Sequence, residues 1–165
     1  SGTIAMGEES VFRHLRTVKP GIAVTTPFTG AVTALGRLGC KQITMLTPYT
    51  EEVTRAMRHE LQRRGLHVIR AVAFGVSLDS EMSSVDPQTV RNMAEAIDSP
   101  DAEALFISCT ALRTSPIIEE LEESLGKPVV TSNQGLVWHA LRLSGYDKPV
   151  SGYGQLLHLP LSPAA

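Results

Sequence analysis

Cys109 stands at the end of an apolar run, in Phe106-Ile107-Ser108-Cys109-Thr110-Ala111-Leu112-Arg113. The run reads as a buried strand that ends where a helix begins within a few residues. A thiol at such a junction faces unpaired backbone N–H groups and the positive end of a helix dipole, and both stabilise a thiolate. The same amides can hold a carboxylate oxygen of a substrate. A cysteine so placed can serve as acid, base or nucleophile. The alternative is a small buried residue at a strand end, but an inert core site gains nothing from the polar neighbours Ser108 and Thr110. Cys40 precedes Lys41-Gln42 at the start of a strand, on the face opposite the expected cleft, and reads as structural or semi-exposed.

Other groups able to bind an anion recur at expected strand ends: Thr25-Thr26, Thr47-Pro48-Tyr49, Ser108 to Thr110, and Thr131-Ser132-Asn133. Hydroxyls also cap helices, so each alone has a plain explanation; together they can build a donor-rich cleft. Tyr49 is either a packed turn aromatic or a phenolic donor to a carboxylate. Asn133 is either a helix cap or a binding residue. His139 follows Trp138 and reads as a core, interface or pocket residue. The remaining histidines are scattered, and no metal site is supported. No GxxxxGK[ST] phosphate loop, GxGxxG turn, HExxH or calcium loop occurs.

These residues need a scaffold, and short apolar runs alternate with amphipathic stretches. Ile22 to Thr26 reads as a strand, and Pro27 opens a helix to about Leu38. Ile43 to Leu46 is the next strand, followed by a helix from Glu51 to Arg64 with Val53, Met57 and Leu61 in register. His67 to Phe74 reads as a strand, and residues 75–86 as a loop. Asp86-Pro87 starts a helix to about Ile97. Ala104 to Ser108 is a strand, Ser115-Pro116 opens a helix to about Leu125, Val129 to Thr131 is a strand, and a helix capped by Ser132 or Asn133 runs to about Ser144. The last twenty residues lack clear periodicity, and their Pro-rich end reads as frayed. This alternation implies α/β architecture with parallel strands and helices on both faces, where ligands bind beyond the carboxyl ends of the strands.

Composition narrows the partners. The 165 residues carry fifteen Lys and Arg against seventeen Asp and Glu, a net charge of −2, so bulk electrostatics give no reason to expect a nucleic-acid or membrane partner. Hydrophobic residues at 42% and charged residues at 19% exclude disorder and a coiled coil. Two cysteines exclude a disulfide scaffold and a four-cysteine zinc site. With no apolar run of about 18 residues and no visible signal peptide, the expectation is a cytoplasmic protein.

Four segments resemble the Asp/Glu racemase superfamily. They are Ser1-Gly2-Thr3, Leu46-Thr47-Pro48-Tyr49-Thr50, Ser108-Cys109-Thr110 with Leu112-Arg113-Thr114, and Lys127-Pro128-Val129-Val130-Thr131-Ser132-Asn133-Gln134. The chain looks closest to the branch holding maleate cis–trans isomerases, arylmalonate decarboxylases and ectoine-utilisation proteins. The last two segments, with Trp138-His139, look most like the ectoine-utilisation proteins. The resemblance implies two pseudo-symmetric Rossmann-like lobes with small parallel sheets, the first incomplete here. Residues 40–133 would form the second lobe, and 1–39 with 134–165 the remainder of the first.

It further implies racemase- or isomerase-type chemistry on a small carboxylate or amino-acid derivative, with no metal or organic cofactor, and often a homodimer; the alternatives are an arylmalonate-type decarboxylase using one cysteine, or a non-catalytic small-ligand binding protein. Cys109 matches the second of the family's two cysteines. The first would stand two residues before Ser1. Ser1, Thr47, Tyr49, Thr110 and Asn133 would bind substrate. Where several relatives carry a substrate-binding Asn, this chain has Ser77 to Ser80, which makes Asp79 the corresponding position; its negative charge would repel a dicarboxylate.

Overall fold

A computed structural model describes residues 7–161. Ser1 lies outside the described residues. Helix α1 (Glu8–Val18) opens the described chain, with Glu8 and Glu9 in its first turn and Arg16 in its last, as the helix dipole favours. Residues 22–26 join no sheet among the described residues, so the strand expected there does not form, although Thr26 has extended backbone. Their β-branched residues suit an extended backbone, but a strand also needs a hydrogen-bonding neighbour, and no described strand lies beside them. They lead instead into α2 (Pro27–Arg37), whose N-cap Thr26 accepts the Thr29 N–H at 3.0 Å, with Pro27 in the first turn.

The sheet is built from β1 (Gln42–Thr47), β2 (His67–Ala73), β3 (Ala104–Ile107) and β4 (Val129–Thr131). All three pairings are parallel, in the order β2-β1-β3-β4. Between strands run α3 (Glu51–Arg63), α4 (Asp79–Ser84) with α5 (Pro87–Ala96), and α6 (Ile118–Leu125) after a 3-10 turn at Ser115–Ile117. Helix α7 (Ser132–Leu143) follows β4 directly. The central strands are apolar almost throughout because both faces are covered, and Ile43, Met45, Leu46, Leu105, Phe106 and Ile107 are fully buried. The segment expected as a loop at 75–86 contains α4, a polar helix with one buried side chain, Met82.

Two devices fix α7. Its N-cap Thr131 accepts the Gln134 N–H while the Gln134 side chain accepts the Thr131 N–H, a reciprocal capping box. Its flank meets α2 at Gly30 and Gly135, where a Cβ on Gly30 would sit 2.5 Å from the Gly135 carbonyl oxygen. Only glycine lets the two backbones approach this closely.

The C-terminal segment is ordered well past its last regular helix. Buried Arg142 donates to the carbonyls of Leu159, Tyr146, Lys148 and Leu157, and Trp138 Nε1 donates to Leu159 O. Leu156 and Leu157, in the 3-10 turn Gln155–His158, complete the core. The absence of helical periodicity there reflects an arginine fork gathering irregular carbonyls.

Candidate active site

The strand order places β1 and β3 at the centre, with successive connections leaving in opposite directions. That is a topological switch point, where a crevice opens beyond the carboxyl ends of the strands. Ser108 N–H donates to Leu46 O at 2.9 Å, carrying the β1–β3 pairing one residue past β3. Cys109 therefore emerges at the crevice, and Pro48-Tyr49 leaves β1 beside it.

Cys109 is 4% exposed. Its sulfur accepts the Ala111 N–H at 3.2 Å and lies 3.9 Å from the Met82 thioether, toward which its S–H points. Its backbone N–H donates to Ser132 Oγ at 3.2 Å, and Ser132 Oγ is 3.4 Å from Ser108 Oγ. No helix begins at Cys109: the chain bends through 110–112 and the next turn starts at Ser115. Pro116 suits the first turn of that start, where its missing N–H would have no intrahelical partner. The helix end beside the thiol is instead the N-terminus of α7, brought there by the Ser132 contact.

The other expected residues divide into two groups. Thr110 is exposed, and its carbonyl accepts Asn133 Nδ2 at 3.0 Å. Its own N–H makes no hydrogen bond to any described residue. Asn133 is therefore a tie between α7 and the cysteine loop; the cap itself is Thr131. Tyr49 is buried in the same hydrophobic core as Cys109, Met82 and Leu112, and its carbonyl accepts the Gly75 N–H.

Thr47 and Asp79 make no hydrogen bond to the thiol. Thr47 is fully buried and its hydroxyl pairs with Thr54 Oγ1 at 2.6 Å, joining β1 to α3. Asp79 is exposed at the first turn of α4, and the side chain that α4 sends to the cysteine is Met82. Sequence reasoning missed Met82, whose only signal was its place as the lone apolar residue in a polar stretch. Ser132, noted as a cap, acts through its side chain on Cys109.

The remaining titratable groups are structural in their surroundings. Cys40 is buried, with its thiol directed at the Leu38 and Glu103 carbonyls; burial, then the Glu103 charge, pushes its pKa up. His139 stacks on Trp138 and its Nδ1 lies 2.8 Å from Thr25 Oγ1; burial pushes the imidazole below its ordinary value and keeps it neutral. Among the described residues no three His, Cys, Asp or Glu side chains cluster as metal ligands. Nor is any described helix long and apolar enough to cross a membrane.

A parallel α/β sheet with a cysteine at its switch point is the class that fold and site define. Residues 8–157 match the arylmalonate decarboxylase family, and the chain belongs to it. It is 31% identical over 139 residues to the arylmalonate decarboxylase of Bordetella bronchiseptica, covering 82% of this chain and 58% of that protein. The maleate cis–trans isomerase of Nocardia farcinica, solved bound to TRIS, has the same fold: TM-score 0.87, 23% identity, covering 95% of this chain and 64% of that one. A mutant of the same isomerase, solved with a covalently bound succinylcysteine intermediate, superposes with TM-score 0.86 at 22% identity, over 92% of this chain and 62% of that one. The chain thus spans about three-fifths of the length of each.

Proposed function

We propose that the protein works on a carbon next to a carboxylate, with Cys109 as the acid that delivers a proton to that carbon after loss of carbon dioxide. The observation that carries this reading is the Cys109 sulfur at the switch point, with the Ala111 N–H directed at it and beside it the Thr110 N–H, which has no partner among the described residues. Loss of CO₂ from a malonate leaves an electron pair that spreads over the remaining carboxylate. The Cys109 S–H proton moves to the carbon, the thiolate is left facing the Ala111 N–H, and solvent reprotonates it. Charge on the carboxylate oxygens needs donors: the Thr110 N–H supplies one, and by resemblance Ser1, Tyr49 and Asn133 supply others. No step draws on a metal or organic cofactor.

A second reading keeps the same thiol. The thiolate adds to the double bond of a small dicarboxylate, rotation follows about the new single bond, and the sulfur leaves. The fold shared with the Nocardia isomerase and its succinylcysteine form supports it. Exposed Asp79 and Glu81 on α4 weigh against a second carboxylate on that side. The motif at 127–134 supports a role in ectoine breakdown, the free thiols support a reducing cytoplasm, and family resemblance supports two lobes and a homodimer.

The test is turnover of phenylmalonate and of maleate by the protein and by Cys109→Ala. Loss of the proton donor lowers the rate by about 10²–10⁴-fold. A variant with the wild-type rate contradicts the proposal.

A further inference from the structure

Behind the cysteine loop lies an open groove of about 690 Å³, within the range of small-molecule sites, roughly 300–1,000 Å³. Its walls come from the loop after Cys109, from α7 and from the C-terminal segment that Arg142 holds in place. Leu112, Val137, Leu141 and Tyr153 give it an apolar lining, and Val137 and Tyr153 are exposed there. Two polar groups on it are unmatched. Thr114 is 2% exposed, yet its hydroxyl bonds to no described residue. Among the described residues of the walls Arg113 is the only charged one, and it makes no ion pair or hydrogen bond with any described residue.

Cys109 is not on these walls, and neither is Met82, against which its sulfur packs. The groove and the thiol's surroundings meet along Thr110, Ala111, Leu112 and Asn133, with the Ala111 N–H turned to the sulfur, while the groove's apolar lining at Val137, Leu141 and Tyr153 makes no hydrogen bond to Cys109.

We propose that this groove is a second binding site, for a small monocarboxylate with an apolar body. The body would lie along Val137, Leu141 and Tyr153, and its carboxylate would accept hydrogen bonds from the Arg113 guanidinium and the Thr114 hydroxyl. An aliphatic ligand without charge would leave the arginine unmatched, and a small polar anion would leave the lining wet. The site stands independently of the chemistry assigned to Cys109.

The experiment is an NMR titration of the ¹⁵N-labelled protein with octanoate. Saturable shifts are expected at Val137, Leu141 and Tyr153. Arg113→Gln, an exposed position that leaves the fold intact, should weaken binding about tenfold, as for loss of one charged hydrogen bond. Octanol should bind about tenfold more weakly than octanoate. Cys109→Ser, which abolishes the turnover proposed above, should leave octanoate affinity within about twofold. Absence of saturable shifts, equal binding of octanol, or shifts confined to Tyr49 and Met82 that vanish in Cys109→Ser would overturn the proposal.

Discussion

The backbone N–H of Cys109 donates to the hydroxyl of Ser132 at 3.2 Å, although the two residues are 23 apart in sequence. This bond joins the end of β3 to the start of α7. It commits the Cys109 amide to the protein, while the next amide, Thr110, makes no hydrogen bond to any described residue.

Ser132→Ala should therefore act on both stability and turnover. It strands a buried N–H, which costs about 1–3 kcal/mol, read as a lower urea midpoint. A displaced thiol should lower kcat with little change in KM for the substrate that the protein turns over. A variant with normal kcat, or with KM alone raised, would show that Ser132 does not position the thiol.

The α2–α7 contact gives a sharper stability test. A Cβ on Gly135 would lie 2.9 Å from the Ala31 backbone nitrogen, and one on Gly30 closer still to the Gly135 carbonyl. Gly30→Ala and Gly135→Ala should each destabilise by about 1–3 kcal/mol, because backbone must move. Gly36 lies in the same helix and faces open space. Gly36→Ala should stabilise by about 0.5–1 kcal/mol through helix propensity alone. Thermal unfolding of the three variants checks the contrast, and equal effects would contradict it.

His139 predicts a pH dependence. Burial lowers its pKa in the folded protein, while in the unfolded chain it titrates near about 6.5. Below that value the unfolded chain takes up a proton that the folded chain refuses, so stability falls as pH drops toward the folded value. His139→Asn keeps a partner for Thr25 and removes the titration. The difference in unfolding free energy between wild type and variant should therefore shift against the wild type between about pH 7 and pH 5. Parallel curves would remove His139 as the cause.

The sheet was readable because its central strands are buried runs bounded by glycine, proline or polar turns; β1, β3 and β4 fall within a residue or two of expectation. Residues 22–26 carry the same local signal and form no strand, since pairing depends on a neighbour that composition does not reveal. Helix α4 escaped because it buries only one side chain, Met82, in a polar stretch. Cys109 was legible from residue type and its place after an apolar run. The contacts that set its surroundings, from Met82 and Ser132, were not, because they cross 27 and 23 residues of chain. The partner of the Thr47 hydroxyl, Thr54 on the following helix, was not legible either, because residue type alone does not give the direction of a strand-end hydroxyl.

Proton delivery from Cys109 is tested most directly by running the reaction on phenylmalonate in D₂O and following the product by NMR. The account predicts carbon dioxide release with one deuterium placed on the α-carbon in a single configuration, and no product from Cys109→Ala. Stereospecific deuterated product formed by Cys109→Ala at the wild-type rate would contradict it.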